Sequence, residues 1–144
     1  MSVGKCFVDT NILIYAYDVS AGPKHVKAAD LVKELWKTRQ GLLSTQVLQE
    51  FYVNVTRKIA RPLEASIARQ IVADFARWAV VSIEPNSTLA AIDLQRDHLL
   101  SFWDAMIITS AMEGGADALL TEDLNHGQVI SGLTVRNPFL EWAA

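Results

Sequence analysis

Cysteine is almost missing from this chain: Cys6 stands alone among 144 residues. No disulfide framework can form, so the fold must rest on packing, and a reducing cytosol suits the sequence. In the apolar run CFV, Cys6 itself reads as a small buried hydrophobe. Long apolar runs are missing too. Between Asp104 and Glu113 the stretch AMIITSAM has eight uncharged residues, far below the roughly 20 that span a bilayer. The opening MSVGKCFVDT lacks the apolar core and cleavage site of a signal peptide, so a cytoplasmic protein with no membrane partner is expected. Lysine vanishes after Lys58, and His25, His98 and His126 show no metal-ligand spacing, which points to surface or turn roles. Internal repeats, low-complexity tracts and interdomain linkers are absent as well.

The charge that is present is unevenly placed. Net charge is −3, yet residues 1–72 carry ten Lys/Arg against six Asp/Glu while residues 73–144 carry three against ten. A basic face and an acidic pocket can therefore share one small domain. The length and the 51% hydrophobic content suit a single domain over 1–144, burying about two thirds of the surface of the unfolded chain.

Local patterns alternate. CFV reads as a strand ending at Asp9, and TNILIYAY as a helix that Thr10 or Asn11 can cap. From Pro23 to Arg39 the residues Ala28, Leu31, Val32, Leu35 and Trp36 recur at helical spacing, until Gly41 breaks the pattern. GLLST follows as a strand, and Ser44 or Thr45 can cap a helix to about Lys58, on which Gln46, Glu50 and Asn54 share one face. Leu63 to Trp78 predicts another helix, with Ile67, Ile71, Val72 and Phe75 inward, so that Arg57, Lys58 and Arg61 tip a helical hairpin. AVVSI is a third strand, followed by a helix that Asn86 or Ser87 could cap. WDAMIITSAMEGG is a mostly apolar helix with Asp104 in its first turn, closed by Gly114 and Gly115. ADALLT and LTV (Leu133 to Val135) complete the strands. Strands too apolar to have a wet face, alternating with helices, indicate an α/β sandwich around a mainly parallel sheet.

In such sheets ligands bind beyond the carboxyl ends of the strands. Asp9 and Asp123 follow strands, Glu50 follows one by a turn and Asp104 opens a helix, so one rim can hold all four. Clustered carboxylates raise one another's pKa or recruit positive charge, which makes Mg²⁺ or Mn²⁺ the expected companion.

The segments VDTNILIYAY, SFWDAMIITSA and LLTEDLNHG, with Glu50 between them, resemble the PIN-domain ribonucleases, and in particular the VapC-type toxins of toxin–antitoxin pairs. The likeness runs over nearly the whole chain in the family's order. It implies a PIN-like three-layer sandwich and an acidic quartet of Asp9, Glu50, Asp104 and Asp123 that binds Mg²⁺ or Mn²⁺ and supports cleavage of single-stranded RNA. Asp9 and Asp104 rank first as metal ligands, and Asp123 is preferred to Glu122 because it matches the family's Thr-x-Asp pattern. A cognate antitoxin and a homodimer are implied in the same way. Thr10, Asn11, Thr121 and Asn125 can orient the acids or a bound water. Arg57, Lys58 and Arg61 are the densest phosphate-binding cluster. Trp103 is weighed as core ahead of a base-stacking role, and Trp36, Trp78, Phe51 and Tyr52 as core or interface residues.

Two other readings compete. A haloacid-dehalogenase-like phosphatase needs Asp-x-Asp where this chain has Asp9-Thr10-Asn11, and a late lysine that is missing; the missing lysine also weighs against a receiver domain. A catalytically silent PIN-like module that binds RNA or protein is the alternative function.

Overall fold

The computed structural model describes residues 4–140. Its strands are β1 (Cys6–Val8), β2 (Gly41–Ser44), β3 (Ala79–Val81), β4 (Ala118–Leu120), β5 (Val129–Ile130) and β6 (Leu133–Arg136). Its helices are α1 (Thr10–Tyr17), α2 (Pro23–Thr38), α3 (Thr45–Arg57), α4 (Ala65–Phe75), α5 (Pro85–Asp97) and α6 (Phe102–Glu113), with a short 3₁₀ turn at Val19–Ala21.

The strands form one sheet in the order β3-β2-β1-β4-β6-β5, parallel except where β5 meets β6. Every residue of β1, β2 and β4 is buried, which requires cover on both faces and makes the molecule an α/β sandwich. Helices supply that cover, α2, α3 and α6 all packing on β2. From β1 the chain steps outward to β2 and β3 on one side, and returns to β4 on the other. Such a reversal opens a crevice at the carboxyl ends of the two central strands. Asp9, the residue after β1, sits there with its N–H on Leu120 O at 3.0 Å.

The core explains the helical periodicities. Phe75, at the end of α4, is fully buried and meets the rings of Phe51, Tyr17, Trp36 and Trp78 at centroid distances of 5.1–6.2 Å. Cys6 is buried as expected, and burial, with Asp117 nearby, pushes its thiol up to about 11, out of the reactive range.

Several boundaries differ from the sequence expectations. Helix α2 ends because Arg39 takes a left-handed conformation (φ 58°). Gly41 belongs to β2, where the Trp78 ring lies within 2.3 Å of the place a Cβ would fill; close approach, not helix breaking, is what requires glycine there. Helix α4 spans Ala65–Phe75, shorter than Leu63 to Trp78, and it buries Ala68 while Ile67 stays exposed. The cap of α5 is Glu84, one residue before Pro85, with the Ser87 hydroxyl accepting from the Glu84 N–H. Two-residue β5 is an addition to the expected strands, too short for a local pattern and supported by the antiparallel turn into β6. No helix among the described residues is long and apolar enough to cross a membrane.

Candidate active site

Four elements converge on the crevice. Asp9 caps α1, its Oδ1 accepting from Thr10 N at 2.7 Å, so the residue ending β1 is fixed by the helix it starts. Ser44 caps α3 through Val47 N, which sets the stripe of Gln46, Glu50 and Asn54 against the same opening. Ser101 caps α6 by accepting from Asp104 N at 3.1 Å. Asp123 follows β4, its N–H donating to Thr121 Oγ1 at 3.1 Å.

Together these put Asp9, Glu50, Asp104 and Asp123 around one cleft of about 180 Å³, along with Thr10, Asn11, Gln46, Asn54, Trp103 and Ile107. Among the described residues, no lysine, arginine or histidine lines it. A second depression, of about 530 Å³, shares Asp104 and Asp123 and continues past Asn125, His98 and Leu99.

Three of the four acids accept hydrogen bonds from neighbouring polar side chains. Thr10 Oγ1 donates to Glu50 Oε1 at 2.8 Å, Thr121 Oγ1 to Asp9 Oδ2 at 2.7 Å, and Asn11 Nδ2 to Asp123 Oδ2 at 3.2 Å. Thr10, Thr121 and Asn11 thus each donate to one of the acids, whereas Asn125 borders the second depression.

Burial pushes the Asp9 carboxyl up to about 6, and the neighbouring Asp123 and Glu50 carboxylates add to the rise against the opposing bonds from Thr121 and Thr10. Burial, then Asp104 and Glu122, also raises Asp123 above its ordinary value. Burial is the larger cause for both groups, and the neighbouring carboxylates add to it.

Glu122 is disposed of differently. Lys24 Nζ lies 2.7 Å from its Oε2, and the Tyr15 hydroxyl donates to its other oxygen. Although burial opposes it, these partners hold its carboxyl below the usual range. Asp123 lines the cleft, whereas Glu122 is held by Lys24 and Tyr15.

Three side chains stand differently from the sequence expectations. Trp103 is not core: it is 63% exposed and stands on the cleft wall, because α6 turns its inner side chains, Ala105 to Ala111, toward the interior one residue after Asp104. By sequence only His126 lies near the acids, yet it is His98 that borders Asp104 and Asp123, while His126 Nδ1 accepts from Asn137 N at 2.9 Å. Gln46 reads in the sequence only as part of a stripe, yet it is 7% exposed, lines the cleft, donates weakly to Glu50 at 3.5 Å, and has an Oε1 without a partner among the described residues. The i, i+4 spacing from Glu50 is its signal. Arg57, Lys58 and Arg61 lie at and beyond the end of α3, exposed, and do not line the cleft. Arg57 is seven residues past Glu50, about 10 Å along the helix axis.

The donor set suits a hard divalent ion. It is rich in oxygen, carries uncompensated negative charge and includes the orphaned Gln46 carbonyl, an acceptor for a hydrated cation. No three His, Cys, Asp or Glu side chains among the described residues are grouped tightly enough to hold an ion as they stand. A divalent ion held here would have to keep several of its own waters.

A family model for the PIN domain matches residues 6–130, and the chain belongs to that family. No curated protein sequence matches it. Among solved structures it is similar to a toxin–antitoxin complex from Klebsiella pneumoniae, with 20% identity, TM-score 0.68, and coverage of 94% of this chain and 98% of that one. It is also similar to Mycobacterium tuberculosis VapC20, a sarcin-ricin loop cleaving toxin, with 20% identity, TM-score 0.60, and coverage of 83% and 90%. VapBC2 from Rickettsia felis, bound to a promoter DNA fragment, gives 17% identity, TM-score 0.63, and coverage of 92% and 97%. At these identities the structures speak for the fold.

Proposed function

We propose that this protein is a metal-dependent endoribonuclease, the toxin of a toxin–antitoxin pair, hydrolysing RNA phosphodiester bonds at the acid cleft. The observation that carries this reading is the meeting of Asp9, Glu50, Asp104 and Asp123, from four separate elements, in one cleft whose described lining holds no cationic side chain. The likeness to an RNA-cleaving toxin and to toxin–antitoxin complexes supports it.

Asp9 and Asp104 would be the primary ligands for Mg²⁺ or Mn²⁺, with Asp123 completing the acidic wall. A bound divalent cation supplies charge stabilisation on the phosphate oxygens and activates water. Glu50, held on one oxygen by Thr10 and approached on the other by Gln46, would take the proton of the attacking water. Thr121 and Asn11 fix the Asp9 and Asp123 carboxylates. The basic end of α3 draws the backbone of the flanking RNA. An antitoxin protein would silence the site by covering it.

The test is incubation with a pool of single-stranded and structured RNAs in Mg²⁺ or Mn²⁺, beside Asp9→Asn and Asp104→Asn variants. Cleavage by the wild type, lost with EDTA and in both variants, is expected. Equal cleavage by both variants would remove the acid cleft from the reaction.

A further inference from the structure

We propose that Trp103 is the nucleobase platform of the acid cleft, stacking the base next to the phosphate that is cut and so selecting RNA that presents an unpaired base there. The inference rests on the endoribonuclease reading and adds a specificity contact to it.

Four observations support it. The Trp103 ring is 63% exposed although it borders the cleft, and among the described residues it is the only aromatic lining that cleft. The other large apolar lining residue, Ile107, is buried, so the indole alone offers a π face to a ligand. The ring is also braced: Phe102 meets it edge-on, with centroids 5.0 Å apart and planes at 75°. Phe102 in turn packs against the buried cluster of Ala91, Ala105 and Met106. Little side-chain freedom is then lost on stacking.

Position along the chain matters as much. Trp103 directly precedes Asp104 and both line the same cleft, so a base on the indole keeps its own or the adjoining phosphate within reach of the carboxylates. A duplex keeps its bases in its own stack, whereas a single strand can splay one onto an aromatic ring.

The experiment measures binding of a fluorescein-labelled single-stranded oligoribonucleotide in Ca²⁺, with the RNA checked intact on a gel. Wild type, Trp103→Phe and Trp103→Ala are compared on the parent RNA and on copies with one abasic residue at each position in turn. Stacking is worth about 1–3 kcal/mol per base, so Trp103→Ala should weaken binding of the parent roughly 5- to 150-fold while Trp103→Phe keeps most of it. One abasic position should weaken the wild type by a similar factor and leave Trp103→Ala unaffected. An equal loss for Trp103→Ala on parent and abasic RNAs, or no loss at all, overturns the proposal. Failure of the nuclease reading looks different: RNA bound through Trp103 but uncut in Mg²⁺ or Mn²⁺ keeps the platform and removes the reaction. RNA cut equally well by wild type and Trp103→Ala keeps the reaction and removes the platform.

Discussion

Thr121 Oγ1 donates to Asp9 Oδ2 at 2.7 Å and accepts from the Asp123 N–H at 3.1 Å. One buried hydroxyl therefore ties the acid after β1 to the acid after β4, across the crevice between those strands. Thr121→Val keeps the shape but leaves Asp9 Oδ2 without this donor, so cleavage should fall about 10- to 100-fold, as when the supporting partner of a metal ligand is lost. Thr121→Ser should restore most of it. Initial rates on one RNA at matched Mg²⁺ decide this, and a Val variant as active as wild type would show the bond to be incidental.

Asp9 should cost stability at neutral pH. Its carboxyl is raised from 3.8 to about 6, so the folded state binds the proton more tightly than the unfolded chain does. The stability this brings is full below pH 3.8 and is lost as the pH rises through about 6. Asp9→Asn should then be more stable than wild type at pH 7.5, by up to about 3 kcal/mol, and the advantage should vanish near pH 3.5. Urea denaturation without divalent ions at the two pH values reads this out.

Neighbouring acids should separate in opposite ways. Glu122→Gln breaks the ion pair with Lys24 and should leave cleavage unchanged while lowering Tm by about 1–3 °C. Because the Glu122 carboxyl is lowered from 4.5 in the folded state, that loss should appear above pH 4.5 and fade as acid protonates the wild-type side chain. Asp123→Asn should do the reverse, reducing cleavage with little loss of stability. Paired activity and melting measurements distinguish the two.

The fold is largely legible in the sequence because apolar strands alternate with capped helices, and each strand end falls next to a polar residue that the topology then uses. Ser44 caps α3 as its position suggests, while the Ser101 cap of α6 shows only in the structure. The positions of Asp9, Glu50, Asp104 and Asp123 on one rim are legible for the same reason. Orientation at element ends is not. Trp103 lies outside the buried stretch of α6, and a helical pattern does not fix which first-turn side chain remains outside. The partnerless Gln46 carbonyl and the diversion of Glu122 to Lys24 depend on packing between residues far apart in the chain, 98 residues for the latter. Local patterns carry no trace of them.

The basic end of α3 should act through charge alone. Replacing Arg57, Lys58 and Arg61 together by Gln should weaken RNA binding at low salt and flatten its salt dependence, with the slope of log K against log salt falling by about 0.7 for each phosphate no longer neutralised. An unchanged slope would place the RNA path elsewhere.

Direct binding of Mn²⁺ to the purified protein, followed by electron paramagnetic resonance or calorimetry without RNA, tests most closely whether the four acids form a cation site. Wild type should bind the ion saturably, with Asp9→Asn and Asp104→Asn variants losing about tenfold or more in affinity while keeping the wild-type circular dichroism spectrum. Mn²⁺ binding that is unchanged in both folded variants would contradict the assignment of this cleft as the metal centre.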